Sequence, residues 1–250
     1  MSNPPLPEEL LDDIVDLLHD SKDALRSCCL VSKSWIPCTR KFLFARIVFW
    51  TPRKLRLWIN TFPDPSTSPA YYTRTLVVGC PEIARTEDAG EGGWIRTFSR
   101  IMHLRVDIPG SASGVPEIQL SLFRGLSPFV QSIRIASNYL LPQTFDLVYS
   151  FPLLEDLSVV VSGMNDGSRC SGGLNATQPS SPPVFTGTLR LSINSGIDAV
   201  ALTLLSLPSG LHFRKLDLRG GHENTSTLTT ALIESCCDTL ESIRIRSFIL

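Results

Sequence analysis

The sequence predicts an α/β chain: a small three-helix unit followed by a solenoid of short parallel strands with helices or loops on the outer face. Two patterns predict it. Apolar residues recur at helical spacing through about the first 45 positions, and from Leu76 onward a short apolar motif returns every 24 to 32 residues. Composition sets the class: 250 residues, 43% of them hydrophobic and 19% charged, suit a soluble globular chain with a substantial core.

In LPEELLDDIVDLL, Leu10, Ile14, Leu17 and Leu18 share one helical row, and Leu11, Val15 and Leu18 an adjoining one. Pro7 suits a first helical position, and Glu8 and Glu9 suit the positive end of the helix dipole. HDSKD breaks the pattern and leaves Asp20 or Ser21 to cap a second helix carrying Ala24, Leu25, Cys28, Cys29 and Val31. A third helix starts near Ser34, because Pro37 is tolerated only in a first turn. So small a bundle cannot enclose Leu6, Leu10, Leu11, Ile14, Leu18, Val31 and Trp35 together, and some of them should face another protein. Glu9, Asp12, Asp13 and Asp16 fall opposite the leucines, as on a solvated helix face, rather than forming a catalytic or metal cluster.

LPEELLDDIVDLL, then LRSCCLVSKSW with its V-x-x-x-W, then FLF resembles an F-box, and the chain is similar to fungal F-box proteins. The resemblance implies that Leu6, Pro7, Leu10, Ile14, Val31 and Trp35 lie in or just beneath a surface that docks on the Skp adaptor of a cullin ubiquitin ligase. It covers about the first fifth of the chain, so the expected boundaries are 1–45 for an F-box-like unit and 46–250 for the remainder.

ARIVFW then reads as a strand, and TPRKLRLWINTF as a helix capped by Thr51 with Pro52 at its first position and Leu55, Trp58, Ile59 and Phe62 on its apolar face. Strand motifs follow at Leu76, Leu104, Ile133, Leu157, Leu189, Leu216 and Ile243, separated by 28, 29, 24, 32, 27 and 27 residues. An apolar residue three positions upstream recurs as Ile101, Val130, Leu154, Phe213 and Leu240. That LxxLxL rhythm, with Asn138 and Asn194 after two strands, resembles degenerate leucine-rich repeats, and implies stacked parallel strands that present a concave surface. An ordinary mixed domain with regularly spaced strands is the competing reading. PEIQLSLFRGLSP, TFDLVYSFP, IDAVALTLLSLP and STLTTALIESCC are the intervening helices, whereas CPEIARTEDAGEGG and SGMNDGSRCSGGLNATQPSSPP read as flexible insertions. Solenoids usually finish with a polar cap, so the apolar end RIRSFIL should either tuck into the final repeat or mark a product shorter than the family norm.

No enzyme motif survives inspection. GSASG at Gly110 has Ala112 where a nucleophile elbow needs serine, and His19, His103, His212 and His222 keep no metal-ligand spacing. The seven cysteines form no CxxC pair and read as reduced, mostly buried thiols. A net charge of −1 gives no global field for nucleic acid or an anionic membrane, no apolar run approaches about 20 residues, and the acidic N-terminus is unlike a signal or transit peptide. Arg100, Arg105, Arg134, Arg190, Lys215, Arg219, Arg244 and Arg246 lie in or beside the strands. They could bind a modified substrate, but charged residues at alternate positions are also what a solvated strand face looks like, and that reading is favoured.

The expectation is therefore a non-enzymatic, cytoplasmic or nuclear substrate-recognition adaptor of an SCF-type ligase, partnered by Skp, through it by a cullin, and by an unknown protein substrate. No cofactor or metal, and neither nucleic acid nor membrane, is expected. The alternative is a repeat scaffold outside any ligase, with the N-terminal helices as its cap.

Overall fold

The structure is a computed structural model that describes residues 7–79, 93–108, 123–124, 126, 128–137, 144–162, 185–193, 197–207, 210–220 and 226–246. Three helices come first: α1 (Glu8–Leu17), α2 (Lys22–Val31) and α3 (Trp35–Leu43). Pro7 is the N-cap of α1. Ser21 caps α2, its hydroxyl accepting the Ala24 N–H at 3.3 Å. Pro37 falls in the first turn of α3, although the Ser34 hydroxyl meets that of Ser32 at 3.0 Å instead of capping.

Eight strands follow: β1 (Arg46–Phe49), β2 (Thr75–Val78), β3 (His103–Ile108), β4 (Ser132–Ser137), β5 (Asp156–Val161), β6 (Thr188–Ile193), β7 (Lys215–Arg219) and β8 (Ser242–Arg246). They form one sheet in chain order, and every neighbouring pair is parallel. Parallel neighbours need a crossover, and the described crossovers carry α4 (Pro52–Thr61), a 3-10 turn (Pro69–Tyr72), α5 (Gly93–Arg96), α6 (Thr144–Val148), α7 (Ile197–Leu205) and α8 (Ser226–Ser235). The Thr51 hydroxyl caps α4 by accepting the Lys54 N–H, with Pro52 in the first turn.

The register ties the strands to the sequence period. Leu76, Leu104, Ile133, Leu157, Leu189, Leu216 and Ile243, the residues that define the repeat, are direct cross-strand partners, and Ile47 of β1 extends the row to eight. The entry to most strands repeats as well. Successive N–H groups of Arg74 and Thr75 bond the Ala45 carbonyl, those of Met102 and His103 bond Arg74, and those of Gln131 and Ser132 bond Met102. Glu155 and Asp156 do the same to Gln131, Arg214 and Lys215 to Gly187, and Glu241 and Ser242 to Arg214. Six of the seven strands after β1 thus hang from one carbonyl of the unit before, while at β6 the Gly187 N–H bonds the Glu155 carbonyl and the Thr188 N–H bonds the Asp156 side chain.

One core runs along the face of the sheet that carries this row. Leu76, Leu104, Ile133, Leu157, Leu189 and Leu216 are at most 2% exposed there, against Leu55 of α4, Phe98, Phe145 of α6, Val200 and Leu204 of α7 and Leu232 of α8. The upstream positions Ile101, Val130, Leu154 and Phe213 are fully buried, while Leu240 is half-buried. On β8 the pattern changes, with Ile243 43% and Ile245 59% exposed. The N-terminal helices keep a separate, smaller core of Val15, Leu25 and Cys38, with Leu18, Trp35, Phe42 and Leu43 against it. Phe44 packs instead on the main core, edge-on to Trp58 and Phe62, and so joins the two.

Several expectations fall outside the described residues: Asn138, Asn194, the GSASG stretch, His222, nearly all of both insertions, most of the PEIQLSLFRGLSP helix and the last four residues. Of the thiols, Cys38 and Cys236 are buried and Cys28 and Cys29 half-buried, but Cys237 is exposed, just past α8 where the chain turns toward the uncovered β8.

Candidate functional site

Two surfaces stand out, one on the helical unit and one on the sheet. The helical unit is too small to cover its own leucines. Leu11 and Val15 take the inward row of α1, 4% and 0% exposed, which turns Leu10, Ile14 and Leu17 outward at 50%, 36% and 85%. At the end of α2, Leu25 is buried, but Leu30 and Val31 are 88% and 72% exposed. These five side chains belong to two helices and are apolar throughout, where isolated exposed leucines would need no explanation.

Of the six residues expected to dock, Leu6 lies outside the described residues and Pro7 is exposed. Leu10, Ile14 and Val31 are exposed. Trp35 is half-buried against the small core. Beside it Thr39, fully buried, donates to the carbonyls of Trp35 and Ile36 at 2.9 and 3.1 Å, and its hydroxyl lies 2.9 Å from the Cys29 thiol. That part-buried polar contact links α2 to α3. Leu17 and Leu30 are the most exposed leucines here and are absent from the expected set. Leu17 stands on the same helical row as Leu10 and Ile14, which was the available signal, while Leu30 falls on no row that periodicity singles out. Of the acidic row, Glu9, Asp13 and Asp16 are exposed as on a solvated face, but Asp12 is half-buried against α3: it pairs with Lys41 at 3.3 Å, and contacts with Cys38 and Lys41 hold its carboxyl below the usual range.

The second surface is the sheet face opposite the core, which we call the open face. One cross-strand row there reads Val48, Val77, Arg105, Arg134, Ser158, Arg190, Asp217 and Arg244 from β1 to β8. Two residues further along lie Asp107, Ala136, Val160, Ser192, Arg219 and Arg246 on β3 to β8. Of the eight cations singled out in the sequence, all but Arg100 stand on this face, and Arg46 of β1 joins them; Arg100 lies outside the strands, its guanidinium 3.8 Å above the Tyr71 ring.

Ion pairs divide the face. Arg105 makes a two-nitrogen contact to Asp107, Nε donating at 2.7 Å with a terminal nitrogen also at 2.7 Å. The Asp217 carboxylate, 8% exposed, accepts from Arg190 Nε at 3.0 Å and from Arg219 at 3.0 and 2.9 Å. The Arg219 guanidinium first, then the field of Arg190, holds Asp217 below the usual carboxylate range. Between these groups, Arg134 Nε and Ser158 Oγ are buried, and among the described residues neither has a hydrogen-bond partner.

No set of three or more His, Cys, Asp or Glu side chains that could hold a metal occurs among the described residues, and no helix among them is long and apolar enough to cross a membrane. No protein-family model matches the chain, and no curated protein matches it.

Proposed function

We propose that this chain is the substrate-recognition adaptor of an SCF-type cullin ubiquitin ligase, docking on Skp through an F-box-like N-terminal unit and holding a protein substrate on a leucine-rich-repeat-like sheet. The observation that carries the reading is the outward face of Leu10, Ile14, Leu17, Leu30 and Val31 on a unit whose own core is a few residues deep. Burying one such side chain in a partner is worth about 1.5–3 kcal/mol, so together they can anchor a stable complex. The F-box-like motif order points to Skp as the partner, and the eight-stranded parallel sheet offers the second surface that an adaptor would need.

In this reading the chain performs no chemistry. It raises the effective concentration of the substrate near the ubiquitin-loaded enzyme carried at the far end of the complex. The rigidity of the joint between the two units then matters as much as either surface, because it sets which substrate lysines come within reach. Phe44, just past α3, packs edge-on to Trp58 and Phe62 of the main core and would help to hold that joint.

Co-expression with a Skp adaptor and size-exclusion chromatography test the proposal. Wild type should co-elute, and Leu10→Asp combined with Val31→Asp should elute alone while keeping its helical circular dichroism. Folded wild type that never co-elutes would leave the helices as a cap on a repeat scaffold, the rival reading.

A further inference from the structure

The open face holds more positive charge than it neutralises. Its strands carry eight Lys and Arg side chains against Asp107, Asp156 and Asp217, in a chain whose overall net charge is −1. The excess is therefore local. It is also structured: Asp107 is taken by Arg105, and Asp217 by Arg190 and Arg219. Arg134 stands between these groups, and among the described residues no carboxylate forms an ion pair with it. It is Arg105's direct partner on the next strand, and Ser158 is its own partner on the other side, followed by Arg190. Parallel strands lie about 4.8 Å apart, so Arg105, Arg134 and Arg190 are based within about 15 Å of one another along one row.

The middle of that row has unmet hydrogen-bonding capacity. Arg134 Nε and Ser158 Oγ are buried without a partner among the described residues. A native fold rarely leaves two adjacent donors in that state, since each has given up its hydrogen bonds to water without a replacement. Burial and the guanidinium groups of Arg105, Arg190 and Arg219 also press Arg134 below the ordinary arginine range, with only Asp107 opposing them. An oxyanion placed here would relieve both the orphaned donors and the repulsion.

We infer that Arg134 and Ser158, flanked by Arg105 and Arg190, form a subsite for a phosphate monoester carried on a protein segment that lies across the open face. A phosphoryl group matches the chemistry better than a carboxylate. It brings close to two charges to a site with several cations, and three acceptor oxygens for the guanidinium fork and the serine hydroxyl. A nucleic acid fits less well, because Asp107, Asp156 and Asp217 interrupt the face and would repel a continuous phosphate backbone. The inference depends on the adaptor proposal only in calling the bound segment a substrate.

The test uses the full chain without Skp, so that its failure is separate from a failure of docking. Fluorescence anisotropy would follow a fluorescein-labelled Gly-Ser peptide with one central phosphoserine, its unphosphorylated twin, and a single-stranded oligonucleotide. Inorganic phosphate serves as competitor. The phosphopeptide should bind at least about tenfold more tightly than its twin, a difference of about 1.4 kcal/mol, and inorganic phosphate should displace it. Arg134→Gln should lose that preference, Arg134→Lys should keep part of it, and Ser158→Ala should weaken it by a few fold. Arg53→Gln on α4, off this face, should change nothing. Should Arg134→Gln unfold, Arg190→Gln and Ser158→Ala carry the test. Equal binding of both peptides, or phosphopeptide binding untouched by Arg134→Gln, would overturn the inference; tighter binding of the oligonucleotide would overturn it in favour of a nucleic acid.

Discussion

Asp217 on β7 and Arg190 on β6 are direct cross-strand partners, and the Arg190 Nε donates to the Asp217 carboxylate at 3.0 Å while Arg219 grips the same group from two residues along β7. The carboxylate is nearly buried and held ionised by two guanidinium groups, so removing it strands them. Asp217→Asn should cost about 1–3 kcal/mol at neutral pH. The lowered folded-state pKa gives the sign of the acid response. The stabilisation is present above the unfolded value of about 3.9 and is lost as pH falls through the folded value. Urea unfolding of wild type and variant should therefore diverge at pH 7 and converge as pH falls below about 4. On the open face the same substitution removes a negative charge, so phosphopeptide affinity should rise even as stability drops.

Phe185 and Phe213 stack at 5.0 Å between ring centroids, both fully buried, and lock two successive units together below their strands. Phe213→Ala should cost about 3–5 kcal/mol through lost burial and the cavity left behind. Because the units support one another along a single core, the loss should show as a lower midpoint for the whole sheet in circular dichroism.

Gly79 is a steric requirement of the first edge of the sheet. A Cβ built there would stand 1.9 Å from Cε3 of Trp50, whose ring lies across it. Gly79→Ala should push the indole, already 44% exposed, further into water at a cost of about 1 kcal/mol or somewhat more. Acrylamide should then quench more tryptophan fluorescence in this variant than in wild type, and the difference should vanish when Trp50 is replaced by Phe.

Buried and exposed rows of the helical unit should respond in opposite ways. Val15→Ala or Leu25→Ala removes a fully buried side chain from a core of few members, and should melt the three helices at a cost of about 2–4 kcal/mol. Leu17→Ser and Leu30→Ser should change stability by less than about 0.5 kcal/mol, as exposed positions do. If these two leucines sit in the docking surface, each should still weaken Skp binding severalfold, measured side by side with thermal melts.

Much of this architecture is legible in the sequence because the period of the parallel sheet is written in residues that meet. Leu76 through Ile243 recur at near-constant spacing and become one row of partners, since each strand must present its apolar residues to the same core. Caps were readable for the same local reason: Ser21 and Thr51 need only their own next turn. What could not be read was side-chain fate in three dimensions. Trp35 and Val31 share a motif, yet one packs inward and the other faces water, because only the fold of α2 against α3 decides between them. The arginines looked like an ordinary solvated strand face; Arg105–Asp107 and Arg219–Asp217 are pairs within one strand, but that Arg190 also reaches Asp217, while among the described residues Arg134 has no carboxylate, depends on register across strands roughly 30 residues apart. ARIVFW was readable as a strand, but its place as the first member of the sheet rests on Ile47 meeting Leu76, a pairing the repeat count does not reveal.

The central claim is that the exposed leucines of α1 and α2 are a docking surface, and calorimetric titration of Skp into the full chain tests it most directly. Wild type should bind with a negative heat-capacity change, the mark of apolar burial, and Leu30→Asp with Val31→Asp should abolish the heat while leaving the unfolding transition in place. Unchanged affinity in that folded variant would contradict the account.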